Sequence, residues 1–297
     1  MTVSDAHKTF LTYGRREKNY ARETVKKLED CFNSWILRAL GDKEVSEITR
    51  LDIMELRVSM GDKQIGVNRQ YSVLMTLKLF FKFCRAVLKV NCLDPKEIEL
   101  PRRKPPFVQY LTNLEVQRLR QAIPTHTFTG LRLRVLVEVL LTTGLRISEA
   151  LALDKAPFQA GEKEIEIVGK GGKRRPVFFN EWCLAWIKRY LYRRFDDEPA
   201  LFVTTGIPRR VDRADISKMF IRLRSDAQID KPVTPHMLRH TYCTNLLTHG
   251  ADITYIKELA GHQDIQTTAR YYLGVDKRVL RDVANNCLDY DVPRSVT

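Results

Sequence analysis

No stretch of the 297 residues approaches the ~18 uncharged apolar residues that a membrane-spanning helix needs. The longest candidates, Arg134–Leu141 and Leu74–Val90, are interrupted by Glu138 and by Lys78, Lys82 and Arg85. Residues 1–8 lack the apolar run of a secretion signal, so no signal peptide is expected. The six cysteines are Cys31, Cys84, Cys92, Cys183, Cys243 and Cys287. None forms a C-x-x-C pair, which leaves neither a disulfide framework nor a zinc spacing. Reduced thiols, filling core or surface in a cytoplasmic protein, are the expectation. No internal repeat, no low-complexity segment and no phosphate loop of the form G-x-x-x-x-G-K-[ST] occurs. Together these absences exclude a secreted, membrane-spanning or fibrous protein.

What the chain does have is positive charge. It holds 50 Lys+Arg against 36 Asp+Glu, a formal net charge of +14, with 44% hydrophobic and 29% charged residues. That balance suits a folded protein with a polyanionic partner. The segment Pro101-Arg-Arg-Lys-Pro-Pro106 reads as a linker, because its three prolines deny it helix or central strand. Residues 1–100 carry 18 basic and 14 acidic side chains, net +4, which leaves 32 and 22, net +10, for residues 101–297. Two basic lobes on a basic tether are placed to close around one duplex; two solvated surfaces and a stiff spacer are the plainer alternative.

The first half patterns as all-helical. Apolar residues at Val25, Leu28, Phe32, Trp35, Ile36 and Leu40 predict a helix over 19–40, with Gly41 as its terminating glycine. Further helices are predicted over 49–60 and 66–90. The second half opens with Thr112 and Glu115 at capping-box spacing. A dense apolar helix over 131–141 ends at Gly144. Alternation over 163–168 and 175–179, around Gly169-Lys-Gly-Gly-Lys-Arg174, predicts a hairpin with a glycine-rich basic tip. Helices are then predicted near 180–195, 213–227, 235–249, 252–260, 264–271 and 276–288.

Five local features carry chemistry. Arg146, in Thr142-Thr-Gly-Leu-Arg-Ile-Ser-Glu149, follows a helix-breaking glycine, where a planar guanidinium could grip phosphate. Lys170 sits at the hairpin tip, where a lysine could reach a phosphate or protonate a leaving alkoxide. His236, Arg239 and His240 share one helix face at i, i+3 and i+4. The intervening residues lack the glutamate of H-E-x-x-H, so no metal is expected. His262 follows a helix-ending glycine, and Tyr271-Tyr272 could supply a nucleophile. Taken singly, each is also an ordinary cap, turn, helix face or packing residue.

Taken in order, arginine, lysine, His-x-x-Arg, histidine and tyrosine resemble the tyrosine recombinase (phage integrase) family over essentially the whole chain. Thr143-Gly-Leu-Arg-Ile-Ser-Glu149 is similar to its first arginine box and Val168-Gly-Lys-Gly-Gly-Lys-Arg174 to its hairpin lysine motif. Thr234-Pro-His-Met-Leu-Arg-His-Thr241 is similar to its H-x-x-R box, and Leu259-Ala-Gly-His-Gln-Asp-Ile-Gln-Thr-Thr268 to its second histidine box. The fold implied is mainly α. It comprises a helical, SAM-like core-binding domain at 1–100, a linker at 101–110, and an α-helical catalytic domain with a small antiparallel sheet at 111–297.

The resemblance assigns roles. Tyr271 attacks the scissile phosphodiester, forms a 3′-phosphotyrosyl bond and frees a 5′-hydroxyl. Arg146 and Arg239 clamp the non-bridging oxygens, Lys170 protonates the departing oxygen, His236 serves Tyr271 as base, and His262 donates to a phosphate oxygen. Glu149 supports Arg146 from behind. Arg102, Arg103, Lys104, Lys173 and Arg174 are the implied DNA contacts. No metal, cofactor or ATP is implied. The expected partner is double-stranded DNA at two sites, gripped by a homo-tetramer through a Holliday junction, with room for a paralogous recombinase or accessory protein. Tyr272-Leu-Gly-Val departs from the family's Thr-His-Val and leaves Tyr272 as the alternative nucleophile; Ala260 replaces a common leucine. A C-terminal helix over 280–288 would dock on a neighbour or on its own domain. A type IB topoisomerase and a silent DNA-binding protein on the same fold are the rival readings.

Overall fold

The structure is a computed structural model that describes residues 1–41, 43–103, 109–169 and 172–262. The chain divides into two compact units, Met1–Pro105 and Pro106–Thr297. Among the described residues no helix is long and apolar enough to cross a membrane. The fold is mainly α with one small antiparallel sheet, in agreement with the sequence.

The first unit contains α1 (Val3–Arg16), α2 (Arg22–Cys31), α3 (Leu37–Leu40), α4 (Arg50–Asp62) and α5 (Val67–Ala86). Helix α1 was not anticipated, although Val3, Ala6, Phe10 and Leu11 give it a buried stripe and Thr2 caps it by accepting from the Asp5 amide. The helix expected over 19–40 is interrupted by a π turn at Phe32–Ile36, which separates α2 from α3. The wide turn inserts Phe32 and Ile36 into the core, both fully buried. Gly41 is right-handed helical (φ −55°, ψ −42°), so it is not the left-handed terminator its position suggested. Thr49 and Asp52 form a capping box that starts α4. Phe10, Phe32 and Phe80 meet edge-on or tilted at 5.2–5.9 Å between ring centres.

The second unit contains α6 (Asn113–Gln121), α7 (Phe128–Thr143), α8 (Ile147–Leu151), α9 (Ala156–Gln159), strands β1 (Glu164–Val168) and β2 (Arg174–Phe178), then α10 (Glu181–Leu191), α11 (Arg213–Asp226), α12 (Pro235–Thr248) and α13 (Ile253–Ala260). Helix α7 is buried on nearly every face and packs against α10 and α12. Its lone acid, Glu138, is fully buried and held by Arg120 at 2.6 Å and Arg134 at 2.7 Å. That pairing is how a carboxylate survives inside an apolar helix. Thr112 and Glu115 form the predicted capping box. In the hairpin Ile165 faces Val177 and Ile167 faces Arg175, and Arg175 and Val177 are the two buried positions of β2. The expected helices over 264–271 and 276–288 lie outside the described residues. The five described cysteines are all buried and unbridged, which places them in the core rather than on the surface.

Candidate active site

Two helix C-termini converge on two arginines. Helix α7 ends at Gly144, which is left-handed at φ +60°. An added Cβ there would lie 2.2 Å from the Tyr242 ring, so this turn requires glycine on both counts. Helix α13 ends the same way at Gly261, φ +66°. The carbonyls exposed by these endings carry partial negative charge and attract cations. Arg239, on α12 and 1% exposed, donates from Nη1 to the Gly144 carbonyl at 2.6 Å and from Nη2 to the Ala260 carbonyl at 2.5 Å. Arg146, the residue before α8, donates from Nη2 to the Gly261 carbonyl at 2.7 Å.

Glu149 lies beneath Arg146. Its Oε1 accepts from Arg146 Nη1 at 2.9 Å, and its Oε2 accepts from the Arg146 amide at 2.8 Å. Burial pushes the Glu149 carboxyl up, but hydrogen bonds from Arg175 and from the Arg146 amide outweigh it and the net shift is downward. Glu149 is therefore an anion at neutral pH.

Helix α12 starts from a Thr234 cap that accepts from the Met237 amide at 3.1 Å, with Pro235 in the first turn. This start sets His236 beside Arg239. The His236 and His240 rings lie 4.3 Å apart, and His240 Nδ1 is 3.3 Å from the Gln109 carbonyl. Burial, then the charges of Arg239, Arg146 and Arg213, lower the His236 pKa. Burial, then the charge of His236, brings His240 to about 4. His262, which directly follows α13's terminating glycine, is lowered to about 3 by burial and then by Arg239 and Arg146. The site thus sets fixed guanidinium cations beside imidazoles held neutral.

Arg146, His236 and Arg239 line a cleft of about 560 Å³ together with Arg213 and Ser217 of α11. Of the expected site residues, Arg146, Glu149, His236, Arg239 and His262 belong to this one cluster. Lys170, Tyr271, Tyr272 and Lys104 lie outside the described residues. Tyr242, a neighbouring tyrosine, is pushed by burial up to about 12, unlike an activated nucleophile. Arg102 is exposed, and Arg103 stacks its guanidinium over the Tyr71 ring at 3.6 Å. Lys173 pairs with Glu258 at 2.6 Å and Arg174 with Glu166 at 3.0 Å, all of them exposed. Among the described residues no group of three or more His, Cys, Asp or Glu is arranged to hold a metal ion.

Sequence reasoning missed Arg213 and Arg175. Arg213 has no motif around it. Arg175 had a signal, because strand alternation sets it on the same face as inward-facing Val177 and opposite Arg174.

The sequence model described as the phage integrase family matches residues 109–278. The chain belongs to this family, the tyrosine recombinases. It is 31% identical over 246 residues to the tyrosine recombinase XerD of Oceanobacillus iheyensis, spanning 80% of this chain and 81% of that protein. It is 27% identical to XerD of Listeria monocytogenes over 95% of this chain and 97% of the relative. Among solved structures, a Tn1549 transposon integrase in complex with circular intermediate DNA matches with a TM-score of 0.76 at 20% identity, over 97% of this chain and 99% of that one. The XerA recombinase crystal structure matches at 28% identity and a TM-score of 0.53, over 96% and 98%. The family's matched span in this tyrosine recombinase runs from before Arg146 to beyond Tyr271.

Proposed function

We propose that this tyrosine recombinase breaks and rejoins DNA at specific sites through a 3′-phosphotyrosyl intermediate. The observation that carries the reading is the convergence of Arg146 and Arg239 on the C-terminal carbonyls of α13, beside neutral His236 and His262. Two guanidiniums hold the non-bridging oxygens of the scissile phosphate and stabilise the charge of its five-coordinate transition state. Tyr271 Oη bonds to phosphorus and gives its proton to His236. The bond from phosphorus to the 5′-oxygen breaks, and Lys170 protonates that oxygen. His262 donates to a phosphate oxygen. The phosphotyrosyl ester conserves the bond energy, so a 5′-hydroxyl from a second duplex rejoins the strand without ATP.

In this reading residues 1–100 form a core-binding domain, 101–110 the linker and 111–297 the catalytic domain. Arg102, Arg103, Lys104, Lys173 and Arg174 contact the DNA backbone. The exposed pairs of Lys173 with Glu258 and of Arg174 with Glu166 exchange for phosphate, a cheap exchange because exposed ion pairs are worth little. Four protomers act on two sites through a Holliday junction in the cytoplasm, on the nucleoid. The test is covalent trapping. Protein incubated with fragmented DNA from its own genome is denatured in SDS, and the attached DNA is sequenced. Adducts abolished by Tyr271→Phe but kept by Tyr272→Phe support the reading. Loss only in Tyr272→Phe moves the nucleophile by one residue. Salt-sensitive DNA binding with no adduct in any sample refutes the enzymatic reading, and relaxation without strand exchange replaces it with a topoisomerase.

A further inference from the structure

The buried guanidinium of Arg175 ties the hairpin to Glu149 and to the last turn of α13. It is 6% exposed and sits on β2, the strand that leaves the hairpin tip. Its Nη2 donates to Glu149 Oε2 at 2.8 Å and its Nη1 to Oε1 at 3.3 Å, a two-pronged pairing with one carboxylate. Its Nε donates to the Leu259 carbonyl at 3.3 Å, in the last turn of α13. The plane of the group lies against two glycines. A Cβ on Gly261 would come within 2.7 Å of Arg175 Cζ, and one on Gly169 within 3.0 Å of its Nη1. Glycine at these two positions is what lets the guanidinium fill the space between the hairpin and the turn that carries His262.

Each oxygen of Glu149 is therefore shared. Oε1 takes Arg146 Nη1 and Arg175 Nη1, and Oε2 takes the Arg146 amide and Arg175 Nη2. A carboxylate with only Arg146 as partner could rotate about its side-chain bonds and pull that guanidinium with it. Held from behind by a rigid fork, it has one orientation. We infer that Arg175 is a positioning residue, which fixes the Glu149 carboxylate and through it aims Arg146 at the scissile phosphate. The proposal rests on the functional reading given above. Lysine cannot replace the fork, since it offers a point charge on a flexible stem where two parallel N–H groups are required.

A purely structural ion pair would also be buried, so the test must read coupling and not just loss. Single-turnover cleavage of a nicked DNA substrate is measured for the full chain, Arg175→Lys, Glu149→Gln and the double variant. A misaimed clamp is expected to slow cleavage by about 10- to 100-fold in Arg175→Lys, with DNA affinity changed less than about twofold, because binding rests on many phosphate contacts. The double variant should cleave no more slowly than Glu149→Gln alone. Hydrogen exchange at the Arg146 amide, read without DNA, should accelerate in Arg175→Lys because its acceptor has lost its brace. Glu149→Asp, which withdraws the shared carboxylate by one methylene, should reproduce both effects if Arg175→Lys fails to fold. Losses that multiply in the double variant, or an Arg146 amide whose protection is unchanged, overturn the proposal. If the unmodified chain cleaves no DNA, the functional reading fails, and amide exchange alone then decides whether Arg175 positions Arg146.

Discussion

His262 should stay neutral in the free protein down to pH 5, well below where a histidine ordinarily protonates. It is 7% exposed, and burial followed by the charges of Arg239 and Arg146 lowers it from 6.5 to about 3. The folded state thus refuses a proton that the unfolded chain accepts below pH 6.5. Stability from this group is complete above pH 6.5 and is lost progressively as pH falls toward 3. At pH 5 the loss comes to about 2 kcal/mol, from the 1.5 units between 6.5 and 5, reduced toward about 1 kcal/mol by solvent screening. The assay is an NMR titration of the chain with labelled histidine rings, in which the six signals are assigned with single variants such as His262→Gln.

Duplex DNA should relieve part of this shift. A phosphodiester lodged between Arg146 and Arg239 cancels part of the field that holds His262 down, so its pKa should rise on binding. Calorimetric titrations in two buffers of different ionisation enthalpy should then report net proton uptake that grows as the pH is lowered from 6 toward 4, and His262→Gln should reduce it. A His262 signal that titrates near 6.5 in the free protein would refute the account of the site's electrostatics. So would DNA binding with equal proton uptake in the chain and in His262→Gln.

Four further outcomes are expected. Affinity for duplex DNA should fall by roughly 1,000-fold or more between about 50 and 200 mM salt, in gel-shift or anisotropy titrations; a flat dependence would remove the backbone clamp. Glu138→Ala strands Arg134 inside the second unit, and partner removal from a buried ion pair costs about 3–5 kcal/mol, readable as a fall in denaturation midpoint. Gly144→Ala imposes a Cβ on a left-handed residue and drives it into the Tyr242 ring. It should lower stability by at least ~1 kcal/mol and slow cleavage further by displacing the carbonyl that holds Arg239. Covalent trapping should be as efficient in EDTA as in magnesium; loss of adducts on chelation would refute a clamp made of guanidiniums.

Much of the second unit was legible because its helices are punctuated. Thr112 with Glu115, and Gly144 closing an apolar run, marked ends that the structure keeps. The first unit was less legible for definite reasons. The π turn at Phe32–Ile36 has no sequence signature, since a run of helix-compatible apolar residues reads the same through an α or a π turn. Gly41 carried the right residue for a left-handed end but the chain there stays right-handed, so glycine permits that conformation without imposing it. Helix α1 does carry a 3–4 stripe, in Val3, Ala6, Phe10 and Gly14, but it is short and begins only two residues into the chain.

The site residues legible in the sequence stand mostly at helix ends. Arg146 stands at the start of α8, His236 is the second residue of α12, and His262 follows the glycine that ends α13. Helix ends are where backbone carbonyls and amides remain available, so chemistry collects there, and they are also where threonine, proline and glycine betray themselves in sequence. Arg213, at the start of α11 behind an Asp212 cap, obeys the same rule and could have been reached by it. Arg239 and Arg175 do not. One lies within α12 and the other on a strand, and both are buried cations whose purpose depends on carbonyls or a carboxylate far away in the chain. A buried arginine is costly unless tertiary structure supplies acceptors. Such a residue is a claim about the whole fold, so Arg239 was reachable only through its motif, and Arg175, one step beyond two exposed cations, only by asking which way each strand residue faces.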